Sequence, residues 1–296
     1  MPAQHVIAIA NGKGGVGKTS LVANIAGVAA SSQWRVLAID LDPQGNLARD
    51  LGYLDRSDGG DSLFAAAYTG AALEPIYDVR TFLDVIPGGP ATRRLGDQLR
   101  ADAISEGPNA LDKLDRILDP LFARYDLVLL DLPPGEAVVQ QASLRCASHI
   151  VIPTTGDAAS NDGLGAVYEQ VLTARAVNPL LDVLGVVVTF VANGASAMTR
   201  EIRADLDQTL QGKVRLFEPP VRHARRAAMD CRQRGLLAYE YELAKANALP
   251  WYEARQRGLP VQRFAQNASG LAEDYQRLTE TILQAAGDRV TQVTAG

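Results

Sequence analysis

The chain has 296 residues, is 47% hydrophobic and 21% charged, and sets 29 Lys+Arg against 34 Asp+Glu for a formal net charge of −5. Such a composition buries a full core in one large domain or two modest ones, and it excludes wholesale disorder and a globally basic nucleic-acid coat protein. Cys146 and Cys231 make no disulfide framework, no CxxC pair offers a zinc or iron–sulfur site, and no run of about 18 apolar residues is available to cross a bilayer. The N-terminus lacks a signal-peptide layout, so the expected home is the cytoplasm.

In chain order, His5–Ala10 is a short apolar run that ends in Asn-Gly-Lys-Gly-Gly, as a buried parallel strand delivers its chain to a loop. Leu21–Ala30 is alanine-rich and helical in character, and Arg35–Asp40 is a second buried strand. Phe82–Pro87, Leu127–Asp131, His149–Pro153 and Val183–Val191 are further strand-like runs, with helical segments between most of them. This alternation predicts an α/β fold, a mainly parallel twisted sheet with helices on both faces, in a single domain. The Gly/Pro stretches near Ser57–Asp61 and Pro87–Pro90 read as surface connections. Arg222–Leu249, between strand-like Val214–Phe217 and Pro260–Phe264, reads as an additional helical segment. From Arg200 to Arg263 there are 13 basic and 8 acidic residues, while the remainder holds 16 basic and 26 acidic. The charge is segregated, which points to a local basic surface.

Gly12-Lys13-Gly14-Gly15-Val16-Gly17-Lys18-Thr19-Ser20 follows a strand and opens a helix. Its glycines let successive N–H groups turn toward phosphate oxygens, and the helix adds its positive dipole end. Lys18 then reaches the β- and γ-phosphates, and the Thr19 hydroxyl ligates Mg²⁺. The second lysine, Lys13, sits at the loop's mouth, where its ammonium points out of its own site and suits a nucleotide held by a facing subunit.

With these residues the chain resembles the ParA/MinD ATPases, whose deviant Walker A motif is similar to Lys13–Thr19. The resemblance continues in Val36-Leu-Ala-Ile-Asp40-Leu-Asp42-Pro43-Gln44-Gly45-Asn46, like the first switch region in its ParA form. It returns in Tyr125–Gly135, like the Walker B strand and second switch. Weaker echoes are Leu83–Pro87, Val151–Pro153 with Gly163-Leu164, Val183–Thr189 and Glu253–Val261. The resemblance covers nearly the whole chain apart from Arg222–Leu249, and it implies a P-loop ATPase fold, ATP and Mg²⁺ as ligands and slow, partner-stimulated hydrolysis.

Alternation along an extended segment puts Asp40 and Asp42 on one side, facing the crevice at the strands' carboxyl ends. By resemblance, Asp42 positions or activates the hydrolytic water, Asp40 acts nearer the metal, and Asp131 holds Mg²⁺ through a water. Gly14, Gly15, Val16, Gly17, Lys18, Thr19 and Ser20 would hold the phosphates. No Asn-Lys-x-Asp guanine motif is present, which favours ATP. Pro220 falls where the family carries a proline beside the adenine, and Asn193 is a further candidate.

The resemblance also implies a homodimer closed around two ATP molecules, sequence-independent DNA binding, and a ParB-like centromere-binding activator. Arginine–phosphate contacts carry such binding. Arg222, Arg225 and Arg226 fall at i, i+3 and i+4 and would share a helix face. Arg200 and Arg203 are further candidates, with Arg255, Arg257 and Arg263 as spatial substitutes. The loop begins at Gly12, which leaves no room ahead of it for a helix-turn-helix reader, so non-specific DNA binding on the nucleoid is expected. The alternative is a MinD-like positioning ATPase, which would end in a basic amphipathic helix. The stretch Gly287–Gly296 is mostly small or polar, and no membrane partner is expected.

Overall fold

The computed structural model describes residues 5–192, 200–202, 204, 206, 214–261, 263–265 and 268–294. The order is β1 (Val6–Ile9), α1 (Lys18–Ser31), β2 (Val36–Asp40), α2 (Leu47–Asp50), α3 (Asp61–Thr69), β3 (Ile76–Arg80), β4 (Leu83–Ile86), α4 (Pro90–Ser105) and α5 (Asp112–Phe122). It continues with β5 (Leu127–Asp131), α6 (Ala137–Cys146), β6 (His149–Thr154), α7 (Ala158–Arg175), β7 (Asp182–Val191) and β8 (Val221–Arg222). Four helices close the chain: α8 (Arg225–Arg234), α9 (Ala238–Ala246), α10 (Trp251–Gln256) and α11 (Ala268–Thr294).

The strands form one eight-stranded sheet in the order β3-β4-β2-β5-β1-β6-β7-β8, parallel throughout except for the antiparallel β3–β4 edge. Because side chains alternate along a strand, β1 sends Ile7 and Ile9 into one core and Val6 and Ala8 into the other. The first core packs α1, α8, α9 and α11 against the sheet, and the second packs α3 to α7. Central strands covered on both faces read as continuous apolar runs, which is why these strands were legible in the sequence.

Several expectations need correction. Pro87, Gly88 and Gly89 are buried, so this stretch is not a surface connection. A Cβ on Gly88 would lie 2.5 Å from the Asp40 carbonyl oxygen and 2.7 Å from its carboxyl carbon, so the turn has to pass that close. Val214–Phe217 contributes a single bridge, Val186–Leu216, and the described part of Pro260–Phe264 carries no strand. The antiparallel edge strand β3 gave no sequence signal, because it is amphipathic in neither period and half-exposed. The segment 222–249 is not wholly helical: it opens inside β8, and Ala227, Cys231, Leu237, Ala238 and Tyr241 enter the first core. Asn24 Oδ1 accepts the Ala238 amide (3.0 Å), and Arg80 bonds Glu240 and the Gly235 carbonyl. Among the described residues no helix is long and apolar enough to cross a membrane.

Candidate active site

The loop after β1 is held from both sides before any ligand is considered. Asn11 Nδ2 donates to the Pro153 carbonyl (2.7 Å) while its Oδ1 accepts the Lys13 amide (2.7 Å). The Thr189 hydroxyl, on β7, lies within donating distance of the Val16 carbonyl (2.9 Å) and the Thr154 carbonyl (3.1 Å), which share its one proton. Gly15 (φ 77°) and Gly17 (φ 85°) take left-handed backbone conformations that L side chains resist, and this curls the loop into the start of α1. No acidic residue occupies the first turn of α1, so its dipole end carries no competing anion of its own.

Lys18 is buried, and its ammonium curls back to the carbonyls of Lys13 (3.2 Å) and Asn11 (3.5 Å). Burial lowers its pKa, with Asp131 and Asp42 pulling the other way. Asp40 and Asp131 are register partners at the carboxyl ends of β2 and β5, and both are fully buried. Asp40 spends its oxygens on the loop that follows: Oδ1 accepts the Asp42 amide (2.9 Å) and Oδ2 the Leu47 amide (3.2 Å). Burial pushes its pKa up to about 7, against the pull of those two amides. Asp131 is raised by burial and then by Asp40, while the nearby Thr19 hydroxyl and Lys18 hold it down. Neither Asp131 oxygen has a well-formed hydrogen-bond partner among the described residues. Asp42 is buried and accepts the Gln44 amide (2.8 Å) in a local turn.

A cavity of about 500 Å³ joins this loop to β8 and α8. Gly14, Gly15, Gly17, Lys18, Thr19, Ser20 and Asp42 line it, whereas Lys13, Val16 and Pro220 do not. Lys13 instead makes a two-oxygen ion pair with Asp157 just beyond β6 (2.7 Å). Val16 is a core residue that offers its carbonyl to Thr189. At the expected place of Pro220 the wall is made by its successors Val221 to Arg225, together with Phe190. Phe190 has φ 60°, rests against Gly17 and meets the His223 ring edge-on at 5.9 Å. Sequence reasoning missed Phe190, Asp50, Met229 and Arg232 as cavity residues; a phenylalanine in left-handed backbone carries no local signal.

The arginines expected on one helix face are dispersed. The helix begins only at Arg225, so Arg222 lies before it in β8. Arg222 is taken by Asp274 of α11, through its amide (3.0 Å), Nε (2.7 Å) and one Nη (2.7 Å). Arg226 pairs with Asp230 one turn on (3.2 Å). Arg200 is exposed, and Arg203 and Asn193 lie outside the described residues. Cys231 is buried, Cys146 partly so, and burial raises both thiols above their ordinary range.

A family model described as an AAA domain matches residues 4–183. The chain is 30% identical over 207 residues to the chromosome partitioning protein ParA of Myxococcus xanthus, covering 67% of this chain and 70% of that one. It is 32% identical over 202 residues to the chromosome-partitioning ATPase Soj of Thermus thermophilus, covering 68% and 74%. Among solved structures, the Cyanothece McdA(D38A)–ATP complex superimposes with a TM-score of 0.74 over 97% of this chain and 98% of that one, at 18% identity.

Proposed function

The chain belongs to the ParA/Soj/MinD family of AAA-domain ATPases, and from that premise we propose that it works as an ATP-driven partition switch. In this reading ATP occupies the cavity at Gly14–Ser20, two subunits close face to face, and Lys13 leaves Asp157 to meet the nucleotide of the other subunit. The closed dimer binds DNA without sequence preference, and hydrolysis, stimulated by a ParB-like centromere-binding partner, reopens it. The cargo is a plasmid, a chromosome or another large body carried on the nucleoid.

The observation that carries this reading is the Asp131 carboxylate. It is fully buried, without a well-formed hydrogen bond among the described residues, and set beside Thr19 at the foot of the phosphate loop. A buried carboxyl group whose oxygens are not fully satisfied is costly, and it suits a site that takes up a hydrated cation. Thr19 and Asp131 would hold Mg²⁺, with Asp40 behind them fixing the loop. The ion supplies neutralisation of the phosphate oxygens during transfer. Lys18 binds the β- and γ-phosphates, and Asp42, at the mouth of the turn after β2, orients the attacking water. Asp40 bonds both ends of that turn, so a shift at the γ-phosphate is passed to α2 and the surface beyond it.

Analytical ultracentrifugation with the uncleaved analogue AMPPNP and Mg²⁺ tests the proposal. Wild type should sediment as a dimer and Lys13→Ala as a monomer, while Asp42→Ala should stay dimeric in ATP. A wild-type chain that remains monomeric at saturating AMPPNP would sink the reading.

A further inference from the structure

The wall of the cavity that faces the phosphate loop is one face of α8. Arg225, Ala228, Met229 and Arg232 follow one another at i, i+3, i+4 and i+7, and all four line the same space as Gly17–Ser20. An arginine-rich helix that presents this face to a phosphate loop is turned toward the ligand of that loop.

One of these arginines is fixed in place. Arg232 Nε lies 2.5 Å from Asp50 Oδ1, and one Nη lies 3.2 Å from Oδ2. The same Oδ2 accepts the Ser20 hydroxyl at 3.1 Å, so three elements meet at one carboxylate: α1, α2 and α8. Asp50 is only 8% exposed, and it lines a cavity that also presents the phosphate-loop backbone, the Lys18 ammonium and several arginines. A bare carboxylate there repels a polyphosphate. Arg232 cancels that charge with one edge of its fork, and its second Nη makes no hydrogen bond among the described residues. The fork geometry of arginine allows a carboxylate on one edge and a phosphate oxygen on the other.

We propose that Arg232 is a nucleotide-binding residue supplied by the same chain, held in position by Asp50. It contacts the α-phosphate end of the nucleotide, which ADP keeps when the γ-phosphate is gone. Lys18 serves the β- and γ-phosphates and Thr19 the metal, which leaves the α-phosphate end for Arg232, brought to the cavity through Asp50, the partner of Ser20. The basic residues of α8 then divide their work: Arg232 reads nucleotide, and exposed Arg226 on the other side does not. The assignment rests on nucleotide binding at this site.

Calorimetric titration of the full chain with ADP and with AMPPNP, both with Mg²⁺, tests it. Arg232→Gln is expected to weaken both ligands by a similar factor, about tenfold. Because that change leaves Asp50 without its cation, the decisive comparison is D50N against D50N/R232Q, in which no buried charge is stranded. Loss of Arg232 should still weaken ADP about fivefold or more in that background. ADP affinities within twofold of each other in D50N and D50N/R232Q overturn the contact and leave Arg232 as a counter-charge for Asp50. Weakening confined to AMPPNP overturns the α-phosphate assignment. A wild type that binds neither nucleotide removes the parent reading itself. Binding that is lost in Lys18→Ala but unchanged in Arg232→Gln defeats this inference alone.

Discussion

The phosphate loop and the arginine-bearing segment 222–249 face each other across one cavity, yet they yield to opposite kinds of reasoning. In the loop, function is set by backbone geometry, and that geometry follows from neighbours in sequence: a buried strand, glycines at positive φ, then a helix start. In the segment, function depends on which carboxylate each arginine finds, and those partners come from distant parts of the chain. Asp274 claims Arg222 from 52 residues away, and Asp50 claims Arg232 from 182 residues away. Spacing therefore predicts what a loop can hold, but it does not predict what a cation will hold.

The sharpest test of that contrast is Lys18→Ala. If local geometry dominates the site, this one change should lower nucleotide affinity or turnover by about 100-fold or more without unfolding the chain. Circular dichroism beside nucleotide titration separates the two effects, and a loss of less than tenfold would break the comparison from the loop's side.

Arg222→Ala tests the other region. Asp274 is 4% exposed, so removing its partner strands a buried carboxylate at a cost of about 3 kcal/mol. Denaturant titration should show that loss in the midpoint. A change under about 0.5 kcal/mol would instead return Arg222 to the pool of surface arginines.

The acidic cluster gives a pH signature. Asp40 has a folded pKa of about 7 against an ordinary 3.8, so between those values the folded state binds more protons than the unfolded. Stability therefore falls as pH rises across that window and levels off above it, by up to roughly 4 kcal/mol from this group. Denaturation midpoints of the nucleotide-free chain at pH 5, 6 and 7.5 should show a steeper decline than those of Asp40→Asn. Parallel curves for the two would count against the buried charge.

The smallest effect belongs to Arg226, whose side chain is 77% exposed beside Asp230. Arg226→Ala should change stability by less than about 0.5 kcal/mol. If it touches DNA, the substitution lowers the slope of log affinity against log salt by about 1. An unchanged slope in a filter-binding or anisotropy series removes it from the DNA surface.

Much of the molecule was legible beforehand. The central strands announced themselves because burial on both faces leaves no room for polar residues, and β1, β2, β4, β5, β6 and β7 all lie on the expected runs. Asp40 and Asp131 were expected at strand ends and are found there, with Asp42 two residues past the end of β2. The misses share a cause. β3 pairs on a half-exposed edge, β8 is two residues long, and Pro87–Gly89 looks like a loop but is sealed by packing against Asp40. Phe190 lines the cavity from a backbone conformation that its type does not favour.

The sequence by itself determined the parallel sheet, the phosphate loop and the carboxylates at its mouth. Each rests on a repeat or a spacing of a few residues, within which chain stiffness and burial leave few alternatives. Tertiary structure decided which wall closes the cavity, where Lys13 rests, and which arginines are bound to buried carboxylates. Those outcomes are ion pairs and side-chain contacts between segments 50 to 180 residues apart. Such contacts depend on distances of a few ångströms, and linear order sets those only after the whole sheet has formed.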